Sequence, residues 1–465
     1  MRPFPGPAHR DRRRGVALMA GPAGRTDPPD HNLGTNHMIR QAARLAGRAV
    51  ARLASTLAAG ALVVPVLAAQ APPTIEQLQS VQSLIGSNTP VWSADGTTLF
   101  YLGDGALWSV GADGGAPTRV HDAPGSGTQL RRTPDGRLLT YVKDVPGGSD
   151  IFAWDIAARS ERRVSHLSGR VRSYSISPDS RSIALASDRS GSEDIWVVNV
   201  ADGAARRLTA SPLYEVFPAW SADGSRILYT QLDARWVDHD VYAIAPAGGR
   251  ATLVLRDKDF FDYRQGASFG FPLVSPDGKT LLFRSQRSGW TAFWAIPATG
   301  GTPRQLAPEN ADQSDARWSP DGSQVLFLSM TNGTQSLKVV PAAGGAARTL
   351  VGPSTGMVTR AEWAPDGRRI SYALHSATTA ADLYVVPAAG GESRQLTQSD
   401  PGGTLARAVI APEKISWTND GLTINAYLYT PKALPAGGRA PVIMLVHGGP
   451  TSQFSDTYQL QAQFF

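Results

Sequence analysis

Five apolar residues, Val442-Ile443-Met444-Leu445-Val446, run without interruption into His447-Gly448-Gly449-Pro450. A short continuous apolar run reads as a strand buried on both faces. The glycines that follow it free backbone N–H groups to come close to a developing oxyanion, which is chemistry for acyl transfer. One other segment has the spacing of a nucleophile turn, Gly266-Ala267-Ser268-Phe269-Gly270. Such a turn needs a buried strand before it and a helix after it. Here an acidic, aromatic loop precedes, and Phe271-Pro272 and a turn follow, so Ser268 is not read as a nucleophile.

The remaining reactive residue types are scattered. Eight His show no His-Glu-x-x-His and no metal-ligand spacing, and the absence of Cys excludes disulfides and thiolate chemistry, so neither metal nor cofactor is expected. Gly278-Lys279-Thr280 lacks the earlier glycine that a phosphate loop requires. Tyr214-Glu215 presents a single acid and reads as a strand edge.

The elements that position these residues announce themselves as a repeat. Ser-Pro-Asp-Gly and its variants place an Asp at Asp95, Asp135, Asp179, Asp223, Asp277, Asp321 and Asp366, with spacings of 40, 44, 44, 54, 44 and 45. Pro presets φ at the second position of a turn, Ser bonds the backbone, and Gly tolerates the exit geometry, so these aspartates are structural. Before four of the turns stands a Trp (Trp92, Trp220, Trp318, Trp363), read as packing one unit on the next. After them come strands such as Arg226–Tyr229 and Gln324–Phe327, then Asp194–Val198 or Asp382–Val386, then a Gly-rich turn and a last short strand such as Ser393–Thr397. Four short strands per unit is the pattern of a propeller blade, and seven units predict an all-β seven-bladed β-propeller. The longest interval holds an acidic, aromatic insertion at 257–263, a candidate partner or substrate-gating loop.

The net charge of +6 invites a nucleic-acid or membrane reading, but its location removes it. Residues 1–71 hold ten Arg against three Asp, which leaves 35 basic against 36 acidic residues in the remainder. Within that leader, Arg40, Arg44, Arg48 and Arg52 precede an apolar run from Leu57 to Ala69 and then small residues, the three parts of a secretory signal peptide. The reading is therefore a disordered or mis-called extension at 1–37, a signal peptide at 38–71, a propeller with its lead-in segment at 72–411, and the start of a second domain at 412–465. It implies export to the periplasm or beyond in a bacterium, with no nucleic-acid partner and no membrane association after cleavage.

Beyond the seventh unit the grammar changes to Glu413–Trp417, Asp420-Gly421, an alternating strand Leu422–Tyr429, Thr430-Pro431, and then the apolar strand with His447-Gly448-Gly449-Pro450. This combination resembles the prolyl oligopeptidase family of serine peptidases, of acylaminoacyl-peptidase or dipeptidyl-peptidase type. The resemblance implies that the propeller is followed by the start of an α/β-hydrolase domain. There the Gly449 N–H would supply one oxyanion donor, with Gly448 and His447 shaping the loop. It also implies short peptide substrates cleaved through an acyl-enzyme, with the propeller gating access. The Ser, Asp and His of the triad are expected downstream of Phe465, so that this chain alone is inactive. The alternative is a non-catalytic TolB-like periplasmic propeller that binds protein partners.

Overall fold

The computed structural model describes residue 74 and residues 88–122, 128–232, 239–256, 273–352, 356–401, 403–431, 439–448 and 452–464. The chain divides into two units, Met1–Gln70 and Ala71–Phe465, and every described residue belongs to the second. The leader, the insertion at 257–263, Ser268 and Gly449 lie outside the described residues.

From 91 to 395 the chain builds one motif again and again, four antiparallel strands in sequence order. Meanders 1 to 5 (91–121, 128–163, 171–207, 214–255 and 273–305) are separate four-stranded sheets. Meanders 6 (312–351) and 7 (357–395) are joined into one eight-stranded sheet by a single parallel pair, Gln335↔Met357. The expected strands fall in place. Arg226–Tyr229 becomes Ile227–Leu232, Gln324–Phe327 opens Gln324–Thr331, and Asp382–Val386 lies within Asp382–Pro387. The final strand expected at Ser393–Thr397 shortens to Arg394–Gln395.

Second and third strands are central in their sheets and covered on both faces, so simple in/out alternation gives way to runs of buried residues, as in Val325–Ser329. Each meander buries one face on the next. Ile151 packs with Leu185 across meanders 2 and 3, and Leu282 with Phe327 across 5 and 6. The succession returns to its beginning: Trp92, Leu99 and Tyr101 are buried with Ala373, Leu383 and Val385. Meander 7 thus packs on meander 1, and among the described residues they share no strand. The architecture is all-β and propeller-like.

The Ser-Pro-Asp-Gly turns bind themselves together. In meander 5, Ser275 Oγ donates to Asp277 Oδ1 (2.6 Å) and accepts from Thr280 N–H (2.9 Å). Lys279 N–H donates to the same carboxylate (3.0 Å), and Gly278 N–H closes the turn on Ser275 O (2.8 Å). The glycine answers a positive φ, and in meander 2 a close neighbour as well. A Cβ at Gly322 would lie 3.4 Å from Pro276 of the preceding turn, and one at Gly136 would lie 2.6 Å from the Ala94 Cβ. Ser180 takes the glycine's place in meander 3 at φ +63°, and its Oγ accepts from Asp135 N–H (3.0 Å) of the previous turn. The proline therefore also acts as a wedge between meanders.

A second repeated device staples the outer strands. Asp150, Asp194 and Asp382 occupy matching places in third strands and are buried. Arg207 Nη2 donates to Asp194 (2.8 Å), Gln395 Nε2 to Asp382 (3.3 Å), and Arg163 pairs with Asp150.

After the last meander come a short helix Thr404–Ala408, a hairpin of Glu413–Asn419 with Leu422–Leu428, and a helix Leu460–Phe464. Asp420 (φ +49°) and Gly421 (φ +80°) give the hairpin the left-handed two-residue turn that matches strand twist. Tyr427 OH (3.2 Å) and Asp456 N–H (2.7 Å) both donate to Gly333 O in meander 6, and Ala377 N–H of meander 7 donates to Asp456 Oδ1 (3.2 Å). The buried strand expected at Val442–Val446 is not formed. These residues carry no strand pairing and are 44% to 81% exposed. No described strand runs beside them, so their backbone groups find no ladder and their side chains no cover.

Candidate functional site

First strands of successive meanders meet each other, Val171–Ile176 along Tyr214–Trp220 and Asp312–Trp318 along Met357–Trp363. Fourth strands are short and exposed, as at Ser160–Arg163 and Ala205–Arg207. The first strands therefore stand nearest the axis of the closed succession and the fourth strands farthest from it.

These inner strands are bulged at one repeated place. Six residues before the turn Asp, Gln129 (φ +57°), Phe217 (φ +56°), Asp315 (φ +56°) and Arg360 (φ +56°) adopt the left-handed conformation, and the pairing register shifts beside each. A non-glycine residue held there costs about 1 kcal/mol, and a bulge re-aims the side chains that follow. Four residues before the turn Asp, Arg131, Ser175, Ala219, Arg317 and Glu362 are all at least partly exposed, whereas the residue before each, Leu130, Tyr174, Pro218, Ala316 and Ala361, is buried. In propeller geometry the inner strands surround a central channel, so these positions face that tunnel.

The next position fixes the wall. Indole Nε1 of Trp92 donates to Glu362 O (3.3 Å), of Trp220 to Ser175 O (3.2 Å), of Trp318 to Leu273 O (3.2 Å) and of Trp363 to Arg317 O (3.2 Å). Each repeated Trp thus locks its own inner strand to the preceding one, at the backbone of the residue that faces the tunnel. The Trp92 bond ties meander 1 to meander 7.

Charged side chains from several meanders gather at the tunnel. Arg131 of meander 2 interacts electrostatically with Arg317 of meander 6 and Glu362 of meander 7. Meanders 2 and 6 are not neighbours in the succession, so these groups meet across the axis. Arg317 Nε lies 3.4 Å from Glu362 Oε2 and its Nη2 3.6 Å from Asp315 Oδ1. Burial raises the Glu362 carboxyl above its usual range, opposed by Arg317. The Arg131 guanidinium sits 5.1 Å from the ring centre of Tyr174, whose hydroxyl donates to Gln129 O (2.7 Å) and contacts Thr140 Oγ1 (2.9 Å). Burial pushes the Tyr174 hydroxyl up to about 12.

The sequence-predicted residues stand elsewhere. The turn aspartates are absorbed by their own turns. Asp95 and Asp223 are lowered to about 2 by the hydroxyls of Ser93 and Ser221 and the N–H groups of Thr97 and Ser225. Glu215 is buried in the inner strand of meander 4, where Gln231 Nε2 donates to its Oε1 (3.2 Å) and burial raises its carboxyl. A second acid that spacing did not reveal, Glu193, meets it through the backbone, with Glu215 N–H donating to Glu193 O (2.7 Å). The Glu193 carboxylate pairs with Arg172. His447 is exposed, with its Nδ1 3.2 Å from Gly448 O and its ring edge-on to Phe454 at 6.2 Å. Space around Gly448 is open. Among the described residues no three His, Asp or Glu side chains are grouped to hold a metal. The tunnel charges were missed because they belong to no motif; superposing the seven units on their turn Asp would have aligned them.

Comparison with known proteins gives this arrangement its relatives. The chain is similar over 84% of its length to the acylaminoacyl peptidase of Pyrococcus horikoshii, at 15% identity and a TM-score of 0.65, covering 64% of that chain. It is similar over 83% of its length to a puromycin-hydrolyzing peptidase of Mycobacterium tuberculosis, at 18% identity and a TM-score of 0.65, covering 65% of that chain. The chain thus spans less than two-thirds of either peptidase. The propeller domain of the Trilobed protease from Pyrococcus furiosus, described as having an open velcro topology, matches 69% of this chain and 97% of its own at 14% identity and a TM-score of 0.50. No curated protein matches by sequence. The family model described as the TolB beta propeller domain matches residues 112–261 and 261–397, more than half of the chain. The chain belongs to the TolB β-propeller family.

Proposed function

We propose that this chain is the propeller portion of an exported serine peptidase of the prolyl oligopeptidase family. The seven meanders are its seven blades, and residues 413–464 open its hydrolase domain. The observation that carries this reading is that the likeness to the acylaminoacyl peptidase runs over 84% of the chain, more than the propeller match at 112–397 accounts for. His447-Gly448-Gly449 is then the loop whose Gly449 N–H stabilises the oxyanion of an acyl transfer to short peptides, and the tunnel controls their access. The Ser, Asp and His of the triad come from sequence following Phe465. The test is to read the coding sequence past codon 465 and to treat the host's exported protein with a fluorophosphonate probe. A Gly-x-Ser-x-Gly, Asp and His in that order, with labelling at that Ser, are expected. Their absence, or labelling at Ser268, overturns the reading.

The TolB family match itself favours a second reading, a non-catalytic propeller that binds protein partners in the periplasm. A binding propeller has no use for the hairpin and His-Gly-Gly loop that follow meander 7. Deleting 413–464 would leave partner capture intact under this reading.

A further inference from the structure

We propose that the turn at Gly333 in meander 6 and the turn at Ser376 and Ala377 in meander 7 form a latch for the arm that follows the meanders, residues 413–464. The latch holds mainly by hydrogen bonds, so it opens as one unit without unfolding the meanders.

The Gly333 turn is shaped for a partner. Asn332 (φ +50°) and Gly333 (φ +74°) make the left-handed two-residue turn between Gln324–Thr331 and Thr334–Pro341, a conformation that local sequence explains. The space around it is not a local matter. A Cβ on Gly333 would collide with the Tyr427 hydroxyl and lie 3.3 Å from Phe454 O. Gly105, Gly191 and Gly289 stand in the turns between the second and third strands of meanders 1, 3 and 5, and a Cβ on any of them would meet nothing within 4 Å. The arm is therefore seated on one side of the succession.

One carbonyl takes two separate stretches of the arm. Gly333 O accepts from Tyr427 OH of the hairpin (3.2 Å) and from Asp456 N–H (2.7 Å). The same Asp456 reaches the next meander, where its Oδ1 accepts from Ala377 N–H (3.2 Å). Asp456 thus ties meander 6 by its backbone and meander 7 by its side chain. Farther along, Gln463 Oε1 accepts from Ile410 N–H (2.7 Å) and its Nε2 donates to Ile410 O (2.8 Å). Apolar cover is slight by comparison. Tyr458 packs against Leu405 and Val409, whereas Leu422, Val442, Met444 and Val446 are 67% to 81% exposed. Hydrogen bonds are exchanged for bonds to water at small net cost, and a contact poor in buried apolar area opens below the free energy of global unfolding.

Hydrogen exchange of the full chain, followed by peptide mass in urea below the unfolding transition, tests the latch. Peptides containing Ala377 and Asp456 are expected to exchange through an opening insensitive to urea, while those from the central strand Ser182–Ser187 exchange only with global unfolding. Tyr427→Phe removes a bond to neither amide, yet should speed exchange at both Ala377 and Asp456 about tenfold, because the contacts open together. Asp456→Ala should do the same at residue 456, whose N–H keeps its Gly333 O partner, and Asp456→Asn, which retains the acceptor, should keep most of the protection. Latch amides that exchange only with global unfolding, a Tyr427→Phe variant without effect at Ala377, or acceleration shared equally by Ser182–Ser187 overturns the proposal. None of these readouts involves turnover, so a failure of the peptidase reading would leave the latch standing.

Discussion

Two places in each repeat lie four residues apart on one strand and turn, and they behave oppositely. At the turn, Asp and its partners recur almost unchanged, and every carboxylate accepts from the N–H two residues further on in its own turn. Four residues earlier the backbone is equally regular, but the side chains run from Ala219 to Arg131 to Glu362. A repeated residue in this chain does structural work; a residue that varies at a repeated, exposed position is free to carry specificity. Substitutions that separate these two classes test the division.

The largest effect is expected at a repeated buried position. Asp194→Ala removes a buried carboxylate and leaves Arg207, Ser192 and the Ser211 N–H without it. A loss of about 2–3 kcal/mol is expected in urea unfolding, because several hydrogen-bond donors lose their acceptor while Arg207 can still reach water. A change at the tunnel-facing Ala219 of similar size should be far milder.

Next come two glycines of similar φ but different neighbours. Gly136 (φ +77°) would set a Cβ 2.6 Å from Ala94, whereas nothing lies within 4 Å of Gly105 (φ +66°). Gly105→Ala should cost about 1 kcal/mol for backbone strain alone and Gly136→Ala about 2 kcal/mol, because packing is added to strain. Equal shifts in melting temperature would remove the wedge between turns.

Trp220→Phe keeps an aromatic ring, though a smaller one, and loses the indole bond to Ser175 O, with an expected cost of about 1 kcal/mol for the bond. A cost near zero in thermal unfolding would show that ring burial alone joins the inner strands.

The smallest effect is confined to acid. Asp223 is held at about 2 against an ordinary value of 3.8, so its contribution to stability is complete above that ordinary value and is lost as pH falls toward about 2. Asp223→Asn should flatten the loss of stability across that window and leave the curve above it parallel to the parent's. A parallel shift at every pH would mean that the carboxylate's charge is not what the turn uses.

The sequence made the repeated half of this comparison readable, because turn chemistry recurs at a fixed period and each unit shows the same strand grammar. Trp220 and Trp363 could be assigned to packing for the same reason. The tunnel half was not readable. A left-handed φ at Gln129, Phe217, Asp315 and Arg360 leaves no mark in residue type, and without the bulge nothing indicates which side chains turn toward the axis. Glu215 and Glu193 stand far enough apart in sequence that only the pairing of successive meanders brings them together. His447 and Gly448 were legible as a motif, but the apolar run before them forms no strand, because no described strand lies beside it.

The closed ring of inner strands around a charged tunnel is tested most directly by cross-linking, which the absence of native Cys makes clean. The double variant Arg131→Cys/Arg317→Cys, treated with a short bifunctional maleimide, should yield an intramolecular link detectable by peptide mass. Arg131→Cys paired with Arg206→Cys on the exposed outer strand of meander 3 should yield none. No link between positions 131 and 317, or equal linking of both pairs, would contradict the tunnel.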